Sequence, residues 1–117
     1  MDNDEFLQNQ KTIRIRGDDQ SSILYKIASY DNDNGIVAVN LTGSTVTIFT
    51  KLDEADDYAI YGGTCVIEDV LDGIISYEFA SAETATSGMY RMWFNVIDSN
   101  GKLVKYPQHD YQWLMVI

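Results

Sequence analysis

The chain has 117 residues, 45% of them apolar, enough for one domain whose core needs no metal or disulfide to hold it. Its 18 acidic residues against 8 basic ones give a net charge of −10, the opposite of the footprint that holds a protein on nucleic acid or on an anionic bilayer, so direct binding to DNA, RNA or membrane is disfavoured. The single cysteine, Cys65, leaves no internal disulfide, and the acidic start Met1-Asp2-Asn3-Asp4-Glu5 is unlike a secretory signal, which predicts synthesis in the cytoplasm.

In chain order, residues 1–11 are polar apart from Phe6 and Leu7 and are expected to form a flexible or partner-held leader; residues 12–117 are expected to form one β domain. Thr12 to Arg16 alternates Ile13 and Ile15 with Arg14 and Arg16, the period of a half-buried strand, and Gly17-Asp18-Asp19 ends it. Ser22 to Ala28 reads as a second strand with Ile23, Tyr25 and Ile27 on one face. Asp31-Asn32-Asp33-Asn34-Gly35 is a dense turn signal, followed by the short run Ile36 to Val39 and by Asn40-Leu41-Thr42-Gly43. Thr45 to Lys51 is β-branched or aromatic almost throughout and predicts a strand, while Asp53 to Asp57 reads as a charged hairpin tip.

Further strands are predicted over Thr64 to Glu68 and Ile74 to Ala80, divided by Asp72-Gly73. The stretch from Tyr77 to Val96 then writes two alternating strands joined by a polar corner. Within the corner, Ser81 to Ser87 is the one plausible helical turn, capped by Ser81, before Gly88 releases Met89 to Ile97. Asp98-Ser99-Asn100-Gly101 is a hairpin turn. The final strand is interrupted: Lys102 to Tyr106 runs into Pro107, which cannot donate to a ladder, and Tyr111 to Ile117 resumes. About seven to nine short strands with regular turn signals read as an all-β sandwich or barrel.

Candidates for chemistry are few. His109 is the only histidine, without a nucleophile motif beside it, and reads as an exposed loop residue. One histidine and one cysteine make a zinc site atypical, and Cys65 in Thr64-Cys65-Val66-Ile67-Glu68 reads as a small buried side chain. Asp31 and Asp33 resemble the start of a calcium loop, but the oxygen ligand due eleven residues after Asp31 falls at Thr42, which leaves only an adventitious surface cation. Tyr77, Phe79, Tyr90, Trp93, Phe94, Tyr106, Tyr111 and Trp113 could line a sugar platform, although half of any alternating strand must face the core. The acidic residues offer carboxylate pairs of no specificity. No catalytic, metal or cofactor site is expected.

Four segments occur in one order: Asn40-Leu41-Thr42-Gly43-Ser44-Thr45-Val46-Thr47, then Asp72-Gly73-Ile74-Ile75-Ser76-Tyr77, then Ala85 to Val96, then Asp98 to Pro107. In them the chain resembles the immunoglobulin-like N-terminal domain of phage baseplate upper proteins, over roughly Ile13 to Ile117. The resemblance implies an immunoglobulin-like antiparallel β-sandwich and a non-enzymatic virion component of the tail or baseplate. It implies other tail and baseplate proteins as partners, assembly as a trimer or hexamer, and synthesis in the bacterial host cytoplasm. Longer family members continue into a stalk or receptor-binding part, whereas this sequence ends at Ile117. The rival expectation, from the Tyr and Trp content, is a cell-surface or carbohydrate-binding module reading through Trp93 or Trp113.

Overall fold

A computed structural model describes residues 12–17, 21–31, 33, 35–108 and 110–117. The expected leader, His109, Asn32 and Asn34 lie outside the described residues. The regular structure of the described residues is nearly all strand: β1 (Ile13–Ile15), β2 (Ser22–Lys26), β3 (Ala28–Asp31), β4 (Gly35–Ala38), β5 (Thr45–Leu52) and β6 (Tyr58–Thr64), followed by β7 (Val66–Asp69), β8 (Ile74–Glu78), β9 (Gly88–Ile97), β10 (Leu103–Tyr106) and β11 (Gln112–Val116). A single 3₁₀ turn, Ser81–Thr84, interrupts them.

The larger sheet runs β1-β11-β9-β5-β6, with β10 following β11 along the same flank of β9; the smaller runs β2-β8-β7, and β3-β4 form a separate hairpin. Pairing is antiparallel except between β1 and β11, which are parallel. The two main sheets pack as a sandwich. Tyr25 of β2 stacks on Phe94 of β9 with centroids 4.6 Å apart, and its hydroxyl faces Gln112 Oε1 at 3.4 Å. Ile23, Ile75 and Phe79 meet Val46, Ile48, Met92 and Leu114 in the core between them. Burial of these alternating apolar positions, at about 25 cal/mol per Å² removed from water, is what selects the register, because a one-residue slip would turn every one of them outward.

Among the described residues eleven strands form where about seven to nine were expected, and each extra strand has a local cause. The run Ser22 to Ala28 divides at Ile27, whose N–H donates to Gly73 O at 2.7 Å and whose carbonyl accepts from Val39 N at 3.0 Å, so the chain steps from β2 into the β3-β4 hairpin. The turn Asp31 to Gly35 joins that hairpin. The predicted strand Thr64 to Glu68 straddles a crossing: Thr64 closes β6 in the larger sheet, Cys65 N donates to Val46 O at 2.9 Å, and Val66 opens β7 in the smaller. Gly62-Gly63 hid β6 from a reading of alternation. Gly63 is required there, since a Cβ would stand 2.7 Å from the Tyr77 hydroxyl.

The polar corner forms as a helical turn but is capped differently. Ala80 occupies the N-cap, and the Glu83 carboxylate reaches back to accept from Ala80 N at 2.8 Å, so Ser81 does not cap it. The same carboxylate accepts from the Tyr77 hydroxyl at 2.9 Å. Tyr90, near the start of β9, donates its hydroxyl to Thr86 O at 2.6 Å, which ties the strand to the corner before it. The interrupted last strand is as read: β10 and β11 lie end to end along β9, separated by Pro107 to Tyr111.

Candidate interaction surface

The geometry of the surface starts from β9. Tyr90, Met92, Phe94 and Val96 are buried, so the period of two sends Met89, Arg91, Trp93 and Asn95 to the outer side of the larger sheet. Register then sets Phe49 of β5 across from Trp93, and Tyr61 of β6 across from Phe49. Strict alternation would put Tyr58 and Tyr61 on opposite faces, being three apart. A register shift between Thr50 and Lys51 absorbs Ala59 and pairs Tyr58 with Lys51, so both tyrosines project outward.

Trp93 is the hub of the resulting cluster. Phe49 stacks on it nearly parallel, 5° between planes and 5.6 Å between centroids. Tyr58 meets it edge-on at 5.7 Å and Tyr111 tilts against it at 5.4 Å. Tyr61 packs edge-on to both Phe49 and Tyr58, at 5.3 and 4.9 Å, while 76% of it remains exposed. Such offset and edge-to-face contacts are each worth about 0.5–1.5 kcal/mol beyond burial, so the rings hold one another in place on the solvent side.

Cations rim the cluster. Lys51 Nζ lies 5.3 Å from the Tyr58 ring centre, and the Tyr111 ring centre is 5.4 Å from the Arg91 guanidinium and 4.8 Å from Lys105 Nζ. Lys105 is committed internally: it donates to Pro107 O at 3.2 Å and Asp110 O at 2.8 Å, pinning the loop that carries Tyr111. Burial pulls its pKa below the ordinary lysine value, opposed by the charge of Asp110. Arg91 is held more loosely. Its Nε, shut off from water, has no hydrogen-bond acceptor among the described residues, and its ion-pair partner Asp53 stands at 3.7 Å.

Against known families, the model of the BppU N-terminal domain matches residues 1–106, which takes in β1 to β10. The chain belongs to this family of phage baseplate upper proteins. No curated protein matches it. The family is one of baseplate structural proteins of the phage tail.

Of the aromatic residues singled out in the sequence, Phe79, Tyr90, Phe94 and Tyr106 belong to the core of this baseplate domain, and Tyr77 lies over Gly63 with its hydroxyl on Glu83. Burial raises the Tyr77 pKa, and the Glu83 bond and charge raise it further. Trp93 and Tyr111 enter the outer cluster, and Trp113 shares their face, opposite Arg91. Phe49, Tyr58 and Tyr61 were not singled out. Phe49 left one signal: it stands among Thr45, Thr47 and Lys51, the polar side of its strand. Cys65 is buried as read, and burial pushes its thiol up to about 12. Asp33 is exposed, and Asp31 closes β3. Among the described residues, no group of three or more histidine, cysteine or acidic side chains converges on a metal-sized space.

Proposed function

We propose that the chain is a non-enzymatic assembly part of a phage baseplate, which docks onto other baseplate proteins through the outer face of its larger sheet. The supporting observation is the Trp93-centred cluster. Trp, Tyr and Arg are the residues in which binding energy concentrates at protein interfaces, and here they stand together on a rigid sheet with a rim of cations. Mass spectrometry of purified virions and of detached baseplates tests the reading: the chain is expected in both at a fixed ratio to the other tail proteins, and its absence from intact virions overturns the reading. Closed assembly belongs to the same proposal. Light scattering across a concentration series should give a discrete trimer or hexamer.

The carbohydrate-binding alternative needs free ring faces for sugars to stack on. Phe49 and Trp93 instead occupy one another's faces, which favours a protein contact. Glycan binding lost on replacing Trp93 or Trp113, with the fold intact by circular dichroism, would reverse that preference.

A further inference from the structure

β10 and β11 run in the same direction along one flank of β9, with Tyr106 paired to Phe94 and Gln112 paired to Met92, so Gln112 stands two ladder positions beyond Tyr106. β1 lies parallel to β11 on its far side, Ile13 against Leu114 and Ile15 against Val116. Among the described residues, no strand covers β10 on that same side. N-terminal to Ile13 the backbone is aimed along this free edge. We propose that residues 5–9, in the segment that precedes the described residues, continue β1 as a parallel strand on β10 of the same chain.

Three features select this occupant. The first is register: carried back from Ile13 and across the two-position gap, it sets Asn9 beside Tyr106, Leu7 beside Val104, Phe6 beside Leu103 and Glu5 beside Lys102. Phe6 and Leu7, the apolar residues between Asp2 and Lys11, thus meet Leu103, 54% exposed, and Val104, packed against the core, while Glu5 meets a lysine. The second is the pleat. Ile15 is buried and Ile13 packs on the core, so a period of two turns Leu7 inward with Val104 and Phe6 outward with Leu103. The third is hydrogen bonding. Asp98 N donates to Lys102 O, which by the alternation of an antiparallel ladder aims the N–H and C=O of Leu103 and Lys105 away from β9. At the end of β1, Ile15 O accepts from Ile117 N and Gly17 N donates to Ile117 O, so it is the odd-numbered residues that turn their backbone towards β11. Continued, that parity brings the backbone of residues 5, 7 and 9 against the outward groups of Leu103 and Lys105. The added strand replaces an edge bearing exposed Leu103 by one rich in Asp, Glu, Asn and Gln, which resists pairing with another chain.

Solution NMR of the full chain tests this. The expected result is slowed amide exchange at Leu103 and Lys105, with nuclear Overhauser contacts from Leu7 to Val104 and from Phe6 to Leu103. In a mixture of differently isotope-labelled chains, those contacts should be absent between unlike molecules. Proline substitution reads the parity. Leu7→Pro removes the N–H that donates to Leu103 O and should speed exchange at Leu103 and Lys105 at least about tenfold, whereas Gln8→Pro, whose N–H faces away from β10, should leave it within about threefold. Exchange at Met92 and Phe94 should be unchanged in both variants, which reports an intact core. Contacts found only between molecules give the edge to a second copy and overturn the assignment to the same chain. Contacts shifted along β10 overturn the register. Fast exchange at Leu103 and Lys105 in the unsubstituted chain, or equal effects of the two prolines, overturn the added strand itself.

Discussion

Trp93 and Phe94 are neighbours in the chain and face opposite ways, so replacing each by alanine separates folding from assembly. Phe94 is fully buried and stacked on Tyr25; its removal leaves a cavity between the sheets that should cost about 3–5 kcal/mol. At about 4 °C per kcal/mol for a domain of this size, the Tm should fall by about 12–20 °C. Trp93 is half-buried on the outside, and its removal opens no cavity. It loses one stacked and two inclined ring contacts, which are not additive, for about 1–2 kcal/mol and a fall of about 4–8 °C. Docking should respond in the opposite order: Trp93→Ala should weaken incorporation into baseplates by at least about 30-fold, the equivalent of a 2 kcal/mol hot spot. The assays are thermal unfolding by circular dichroism and competition between tagged wild-type and variant chains for assembling particles. Equal destabilisation by the two substitutions would refute the inside-outside assignment of β9. A stable Trp93→Ala that competes as well as wild type would refute the docking face.

Gly73, at φ +68, has no room for a side chain: a Cβ would lie 2.5 Å from Ile27 O and 2.8 Å from Val39 O, at the junction where β2 passes into the β3-β4 hairpin. Gly73→Ala should therefore cost about 3–4 kcal/mol, while Gly101→Ala, at φ +85 with nothing within 4 Å, should cost only the backbone term of about 1 kcal/mol; urea titration of both variants checks the difference. Cys65, with its thiol raised to about 12 by burial, should react with a thiol reagent at pH 8 far more slowly in the native protein than in urea, and equal rates would contradict its burial. Burial also raises Tyr25 from 10.0 to about 12, so the fold favours its neutral form. The stability this contributes, up to about 2–3 kcal/mol, is complete below pH 10 and is lost as pH rises towards 12; a Tm measured from pH 8 to 11 should decline less steeply in Tyr25→Phe.

The inner half of the fold was legible because burial imposes a period. Ile23, Tyr25, Val46, Ile48, Tyr90, Met92, Phe94 and Val96 fall where alternation puts them, and Pro107 splits the last strand as its missing donor requires. What was hidden depended on contacts distant in sequence. Most of β6 carries no alternation signal because Gly62-Gly63 lacks side chains to alternate, and Gly63 makes sense only once Tyr77, fourteen positions on, is seen lying over it. Ser81 was the better cap by propensity, but Glu83 satisfies both Ala80 N and the Tyr77 hydroxyl, and a carboxylate with two partners outweighs one local hydroxyl. The outer cluster was the least visible, since its members come from four segments and one of them, Tyr58, reaches the face only through a bulge.

The two faces of β9 let one strand serve both the core and the outer aromatic cluster. The outward positions Arg91 and Trp93 alternate with the core positions Met92 and Phe94 on the same backbone, so the ladder to β5 and β11 fixes their spacing whatever side chains they bear. The interruption after β10 contributes to the same surface. Lys105 donates to Pro107 O and to Asp110 O within the interruption, which holds Tyr111 against Trp93 and 5.4 Å from the Arg91 guanidinium. Lys105 therefore acts on the surface by positioning Tyr111 rather than by offering its own charge. Removing it should misplace Tyr111 and weaken docking while leaving Lys51 and Trp93 where they are.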